Sequence, residues 1–332
     1  MQYAYSFIVP VYNRPEEVRE LLESLAQLDF DKDFEVVIVE DGSKLTAKEV
    51  VAAFPQLHIS YYFKENTGPG PSRNYGMERA QSDYFLILDS DCVLPSHYLK
   101  AVDYELQESF VHCFGGPDDA HPDFSALQQA INFSMTSFLT TGGVRGGSRS
   151  LSRFQPRSFN MGLSREAFTQ SGGFGKIHPG EDPELTFKLW ELGYETRLFP
   201  NAYVYHKRRL SWSKFYTQVH KFGLVRPILN QRYPAFAKAT FWLPTLALLF
   251  TLLSLLLLVA GWWWPITLLI GYLTAIFLVA WMQTKSWTTA VLALRAVGVQ
   301  FYGYGTGYLT SWWALHILKQ HPEERFPHLF FD

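Results

Sequence analysis

Two uncharged apolar runs lie back to back in the second half of the chain: "FWLPTLALLFTLLSLLLLVAGWWW" over Phe241–Trp264 and "PITLLIGYLTAIFLVAWMQT" over Pro265–Thr284. Each reaches the roughly 20 residues that a helix needs to cross the hydrocarbon core of a bilayer, whereas the core helices of a water-soluble protein are usually shorter. The runs meet at Gly261-Trp262-Trp263-Trp264-Pro265, a tight turn whose indoles suit the membrane–water interface. The pattern predicts a transmembrane helical hairpin over 241–284. A soluble chain with an apolar tail for self-association is the alternative that partition into water without detergent would reveal.

Charge divides the chain in the same way. The formal net charge of -2 conceals 28 acidic against 16 basic residues in 1–195, then 12 Lys and Arg with no acid from Thr196 to Pro322. Lys207, Arg208, Arg209, Lys214, Lys221, Arg226, Arg232 and Lys238 precede the first run, and Lys285 and Arg295 follow the second. The excess of positive charge on both flanks predicts that both are cytoplasmic and that the Trp turn faces outward. The expected location is therefore the inner (cytoplasmic) membrane, multi-pass, with the N-terminal half in the cytoplasm. Residues 206–240 interleave their cations with Trp212, Phe215, Tyr216, Phe222 and Tyr233. Beside a membrane span, this reads as an interfacial segment on membrane lipids, not as a nucleic-acid surface. Residues 285–332 are aromatic and Gly-broken, and are expected to form an interfacial or re-entrant helical tail that could shape a groove for a lipid. The N-terminus "MQYAYSFIVPVYN" lacks the features of a signal peptide. Cys92 and Cys113 have neither CxxC spacing nor an oxidising compartment, so free thiols are expected, with Cys92 near any site its neighbours form.

The first two hundred residues alternate strand and helix signals. "SFIVPV", "FEVVIVEDGS", "ISYYF" and "DYFLIL" read as strands, and "RPEEVRELLESLAQL" and "TAKEVVAAF" as helices. "NTGPGPSRNYG" reads as a Gly/Pro loop leading into a helix. This alternation indicates an α/β sheet with several parallel strands, whose ligands bind beyond the carboxyl ends of the strands. Two strands end there in acids, Glu40-Asp41 and Asp89-Ser90-Asp91. Two carboxylates so close repel unless positive charge lies between them. A polar turn and a metal site both remain open at this point. The stretch Thr140–Ser158 is Gly/Ser-rich and carries Arg145, Arg149, Arg153 and Arg157, either a solvated linker or a loop over an anionic ligand. Then "GEDPELTFKLWELGYETRLFP" reads as a loop with Glu181-Asp182, a helix ended by Gly193, and a strand.

Taken in order, "IVPVYNR", "VIVEDGS", "NTGPGPSRNYG", "LILDSD", "FNMGLSREAF…GGF", "GEDPELTFKLWELGY" and "VYH" resemble the family-2 glycosyltransferases with the GT-A fold, of the membrane-anchored bacterial type. The resemblance covers about Tyr3 to Gly223. It implies a GT-A catalytic domain over 1–205: a nucleotide-sugar-binding mixed sheet flanked by helices. It further implies cell-envelope polysaccharide or glycolipid synthesis from a nucleotide-diphosphate sugar donor, with Mn²⁺ or Mg²⁺ as cofactor. By the same resemblance, Asp91 and Asp89 are metal ligands, with His206 a further metal or diphosphate contact. Asp41 matches the acid that contacts the nucleotide base, and Arg73 a residue near the phosphates. Pro10, Tyr12, Asn160, Gly172 and Gly173 match segments that shape the donor and acceptor sides. Asp182 is implied as the catalytic base, with Glu181 orienting it or the acceptor; a base opposite the leaving group implies inversion. An acidic helix start favoured by the helix dipole is the bland reading of that pair.

Departures narrow the expectation. Processive relatives carry Gln-x-x-Arg-Trp, and the nearest match here is Gln218-Val219-His220-Lys221-Phe222. Two spans are also few for a polymer channel. The expected reaction is transfer of a single sugar to a lipid-linked or membrane-proximal acceptor. The alternatives are an inactive sugar-nucleotide-binding membrane scaffold, or a polyprenyl-phosphate sugar transferase, although the latter lack this Gly-Glu-Asp block.

Overall fold

The structure, a computed structural model, describes residues 3–119, 125–142, 153–206 and 211–331. The chain forms two compact units. One comprises Met1–His121, Leu151–Lys207 and Phe330–Asp332; the other comprises Pro122–Ser150 and Arg208–Leu329.

The first unit is built on β1 (Tyr5–Val11), β2 (Phe34–Asp41), β3 (His58–Lys64), β4 (Tyr84–Leu88), β5 (Cys92–Val93), β6 (Cys113–Gly115), β7 (Asp118–Asp119), β8 (Asn160–Ser164), β9 (Thr196–Leu198) and β10 (Val204–His206). Its helices are α1 (Pro15–Ala26), α2 (Lys48–Ala52), α3 (Pro69–Arg79) and α4 (Tyr98–Glu108). Further along are α7 (Arg165–Ser171) and α8 (Glu181–Glu191), numbered after α5 (Ala126–Thr136) and α6 (Phe138–Thr141) of the second unit. The main sheet runs β3-β2-β1-β4-β8-β6-β9, and β5, β10 and β7 form a smaller one. Strands β1 to β4 are parallel, while β8 is antiparallel to both of its neighbours.

Alternation across the pleat explains the uninterrupted apolar runs. Phe7, Val9, Val36, Ile38, Leu86 and Leu88 face one core with Leu21, Leu22 and Leu25 of α1. Ile8, Val37, Val39, Phe85 and Ile87 face the other with Met77 of α3 and Leu185 and Leu189 of α8. Ile8 lies opposite both Val37 and Ile87, so one apolar row crosses three strands. Both faces are covered, so both residue parities are apolar. The chain fills one side of β1 with β2 and β3, then crosses to the other with β4. The carboxyl ends of β1 and β4 thus flank a topological switch point, where α/β sheets open a crevice for ligands. One local expectation changes: "PGPSRNYGMER" is itself the helix α3, its two prolines lying in the first turn where a missing N–H costs little.

The second unit is helical: α5, α6, α9 (Trp212–Arg232), α10 (Leu243–Val259), α11 (Trp264–Thr284), α12 (Trp287–His316) and α13 (Pro322–Arg325). α10 and α11 are joined through Gly261, whose φ of 86° suits only glycine. With the turn before α10, both are long and apolar enough to cross a membrane. Most of their leucines are exposed, Leu256 by 69%. The glycines of the C-terminal tail do not break it, for α12 runs unbroken over 30 residues. The segment 125–142 belongs here and not to the sheet, because Ala130 and Phe133 pack against Ile276, Ala280 and Ala293, and Ile131 and Met135 against Phe215 and Val219.

Candidate active site

Every loop at the carboxyl edge of β1, β2 and β4 is tied to another. Beyond β1, Asn13 accepts hydrogen bonds on its side-chain oxygen from the backbone N–H groups of Lys44 (2.8 Å) and Leu45 (3.0 Å). Its own N–H donates to Ser43 Oγ at 2.8 Å, clasping the β1 and β2 exits together. At the end of β2, Asp41 accepts from the N–H groups of Thr67 and Gly68, both at 2.9 Å, and is ion-paired with Lys64. It thereby fixes the start of α3. Glu40 points to the opposite face, where it accepts from Ala47 N–H at 2.7 Å inside the core. Gly68 has φ 88°, and a Cβ there would lie 2.4 Å from the Phe331 ring, so this close approach requires glycine.

Arg73, on α3, is 3% exposed and lies at the centre. It donates to Asp89 Oδ1 at 2.7 Å and to Glu181 Oε1 at 3.1 Å, with its guanidinium 5.3 Å from the centre of the Phe174 ring. Phe174 is held in turn by Asn74, which exchanges two 2.9 Å hydrogen bonds with its backbone. Gly173 precedes it because a Cβ would meet Asn74 Oδ1 at 2.4 Å, and its carbonyl accepts from Lys188 Nζ at 3.1 Å. Burial by itself would lower the Arg73 pKa, but the carboxylates of Asp89, Glu181 and Asp182 outweigh it and raise it.

The two acids at the start of α8 have opposite environments. Burial opposes the Glu181 charge, yet His178, at 3.0 Å, and Arg73 together hold its carboxyl below the usual range. Asp182 is pushed up to about 6, chiefly by burial and then by the Glu181 charge. Arg73, Arg157 and a hydrogen bond with Ser158 pull the other way. Asp182 Oδ1 is inaccessible and has no hydrogen-bond partner among the described residues. Two adjacent carboxyls whose protonation is driven apart suit proton transfer by one of them.

The turn after β4 answers the repulsion problem of its two aspartates: Asp89 faces Arg73, and Asp91 accepts from Arg14 at 2.8 Å. Asp89 is one-third exposed at the crevice. β10 sets His206 opposite Cys92, one residue beyond Asp91; the His206 side chain, like Arg145 and Arg149, lies outside the described residues. No group of three His, Cys, Asp or Glu poised for a metal occurs among the described residues. The donor chemistry nevertheless fits Mg²⁺ or Mn²⁺, which take oxygen ligands and are commonly held by one or two carboxylates plus substrate phosphates.

The remaining expected residues are dispersed. Tyr12 is 53% exposed beyond β1, and Pro10 is half-buried opposite Val39. Gly172 caps α7 in the left-handed conformation. Asn160 is fully buried: it accepts from Tyr98 Oη at 2.7 Å and donates to the Ala202 carbonyl at 2.7 Å, joining β8 to α4 and to the turn before β10. Cys92, expected beside the site, is in the core, its thiol donating to the Phe159 carbonyl at 3.4 Å. Arg14, Lys64, Phe174, His178 and Phe331 were not singled out from the sequence. Arg14 stands inside the quoted "IVPVYNR", but a cation before a helix reads as an ordinary helix start.

Residues 6–166 match the glycosyl transferase family 2 model. Among curated relatives, poly(ribitol-phosphate) beta-N-acetylglucosaminyltransferase TarS of Staphylococcus aureus (strain Mu50) is 37% identical over 100 residues, 29% of this chain and 18% of that one. The GalNAc(5)-diNAcBac-PP-undecaprenol beta-1,3-glucosyltransferase of Campylobacter jejuni is 31% identical over 114 residues, 33% and 37% of the two chains. The chain thus spans well under half the length of these relatives. A solved structure, the mannosyltransferase PcManGT from Pyrobaculum calidifontis in complex with GDP-Man and Mn²⁺, matches with a TM-score of 0.55. It is 17% identical, with 97% of this chain and 89% of that one covered, and it shows a shared fold. Residues 6–166 are a glycosyl transferase family 2 domain, and the sheet has the GT-A-type fold.

Proposed function

We propose that this protein is a metal-dependent, inverting glycosyltransferase that moves one sugar from a nucleotide-diphosphate donor to a lipid-linked or membrane-proximal acceptor. The observation that carries this reading is the Arg73 network at the switch-point edge, which draws Asp89, Glu181 and Asp182 to a single buried cation. The relatives support the substrate classes: one is named for an undecaprenol-linked acceptor, and the solved mannosyltransferase holds GDP-Man with Mn²⁺.

In this reading, Asp41 and the exposed Tyr12 bound the place of the nucleotide base, and Arg73 and Arg14 face its phosphates. Asp89 and Asp91 would hold the cation, which would supply Lewis-acid stabilisation of the departing diphosphate. Asp182 takes the proton from the acceptor hydroxyl. The hydroxyl oxygen then bonds to the anomeric carbon as the bond from that carbon to the diphosphate oxygen breaks on the opposite face. The nucleoside diphosphate leaves with the electron pair, and the configuration inverts. Glu181, kept ionised by His178 and Arg73, orients the site and raises the basicity of Asp182. α10 and α11 cross the inner membrane as a hairpin, with the sheet domain, the basic α9 and the C-terminus on the cytoplasmic side.

The test is calorimetric binding of UDP, GDP and dTDP to detergent-purified protein with Mn²⁺ or EDTA, paired with transfer assays of Asp182→Asn. Metal-dependent binding of one nucleotide, retained in the variant while transfer is lost, supports the assignment. Failure of folded protein to bind any nucleotide would overturn it, and nucleotide binding without transfer by the wild type would return the scaffold reading.

A further inference from the structure

Arg226, on α9, is a half-buried cation with one unsatisfied nitrogen. Its guanidinium lies 4.1 Å from the centre of the Phe241 ring, and its Nη1 is inaccessible with no hydrogen-bond partner among the described residues. Phe241 stands in the turn Ala239–Trp242 that leads into α10, and its N–H donates to the Lys238 carbonyl at 3.1 Å. The same turn carries Trp242, whose ring meets Tyr308 of α12 edge-on at 4.8 Å. The Tyr308 hydroxyl accepts from Asn230 Nδ2 at 3.4 Å. Asn230 is one helical turn beyond Arg226, on the same face of α9. Two cations, an amide and a phenol therefore gather where α9, α12 and the foot of α10 converge.

What is missing there is an anion. Residues 208–329 contain 11 Lys and Arg but only two acids, Glu323 and Glu324. Glu323 is 3.3 Å from Arg232, and Glu324 is exposed. A guanidinium nitrogen shut off from water with no hydrogen-bond acceptor is unfavourable. Burial, and then the like charge of Arg226, push the Lys238 ammonium below its ordinary value, a conflict that an anion between them would relieve.

We propose that Arg226, Lys238, Asn230 and Tyr308 form a binding site for a phosphate group. Guanidinium and ammonium donors suit phosphate oxygens, and the amide and hydroxyl add neutral hydrogen bonds. At the foot of an apolar helix, the headgroup of an anionic lipid is one source of that phosphate; soluble phosphate is the other. The lipid source rests on the proposed membrane span of α10, whereas the site itself does not.

The experiment measures thermal unfolding of the full chain, without sugar donor, in neutral detergent. Three probes are compared at constant ionic strength: dispersed phosphatidylglycerol, phosphatidylcholine and inorganic phosphate. A ligand of the native state raises the midpoint as its concentration rises. The expected result is a rise with phosphatidylglycerol or with phosphate, absent with phosphatidylcholine, and an apparent affinity at least tenfold weaker in Arg226→Gln. A rise with phosphatidylglycerol alone identifies a lipid headgroup, and an equal rise with phosphate identifies a soluble anion. Lys238→Gln provides a second variant should Arg226→Gln unfold, and Lys285→Gln, which follows α11 and is not part of the site, leaves the affinity unchanged. The proposal is overturned by no rise with either phosphate probe, or by equal rises in wild type and both site variants. Because no donor is present, loss of sugar transfer with this response intact would sink the proposed activity and spare the site.

Discussion

Asp91 accepts a 2.8 Å hydrogen bond from Arg14, although 77 residues separate them, because the exits of β1 and β4 face each other across the switch point. The second acid of the Asp-x-Asp turn is therefore already neutralised, and a cation must compete with a guanidinium for it. Arg14→Gln should strengthen Mn²⁺ binding several-fold in calorimetry without nucleotide. Asp91→Asn should abolish metal-dependent nucleotide binding. The Arg14 side chain is about one-third exposed, so losing the pair should cost only about 0–1 kcal/mol of stability. Unchanged Mn²⁺ affinity in Arg14→Gln would show that Asp91 is not a ligand.

Arg73 belongs to the opposite regime. It is desolvated and answers buried Glu181 and crevice-facing Asp89 simultaneously, so removing it strands carboxylate charge in the interior. Arg73→Met should destabilise the protein by about 3–5 kcal/mol, the range for breaking a buried pair from one side. Denaturant unfolding followed by near-ultraviolet circular dichroism would check this. A loss below 1 kcal/mol would mean that water reaches Glu181 in solution.

The pH dependence has a definite sign. With Asp182 as base, transfer requires its ionised form, so kcat/KM should rise with pH, reach half its plateau near pH 6 and fall tenfold per unit below. Stability moves the other way. The folded pKa of Asp182 is raised above the roughly 3.9 of an unfolded aspartate, so its protonated form favours the fold. That contribution is complete below about pH 4 and is lost as the pH rises through about 6. Glu181, whose pKa is lowered, adds stability at neutral pH that is lost only in stronger acid. A flat rate profile between pH 5 and 7 would remove Asp182 from the role of base.

The strands that build the sheet and the carboxylates at its edge were legible because burial on both faces and strand-end acids leave direct marks in the sequence. Asp89 and Asp91 were found for that reason, whereas Glu181 and Asp182, in the first turn of α8, were picked out only by the ordered series of motifs. Their counter-ions were not legible. Arg14, like Lys64 of β3 that answers Asp41, comes from a distant part of the sequence, whereas His178 stands three residues before Glu181, and no local periodicity reports which cation reaches which acid. Asn160 was expected to touch substrate, whereas the structure gives its amide to Tyr98 and Ala202; a buried strand position permits either use until the neighbouring helix is placed. The helix α5 was hidden for a similar reason, since its apolar face fits a sheet as well as it fits α12.

The glycines of α12 show how spacing alone misleads. A helix carrying Gly298, Gly303, Gly305 and Gly307 looks broken by propensity, yet most of these positions are contacts. A Cβ on Gly303 would lie 2.7 Å from Val219 Cγ2, and one on Gly307 would lie 2.4 Å from the His220 carbonyl oxygen of α9. From the other side, a Cβ on Gly223 would lie 2.2 Å from the Tyr304 carbonyl oxygen. Small residues here let two backbones approach closely, as they do between helices in membranes. Gly298 has open space around it. Gly307→Ala should therefore separate α9 from α12 and lower the unfolding midpoint by several degrees. Gly298→Ala should raise stability by roughly 0.5–1 kcal/mol through helix propensity alone. Thermal unfolding of both variants in the same detergent separates the two effects. Equal stabilisation by both would mean that α9 and α12 do not touch at Gly307.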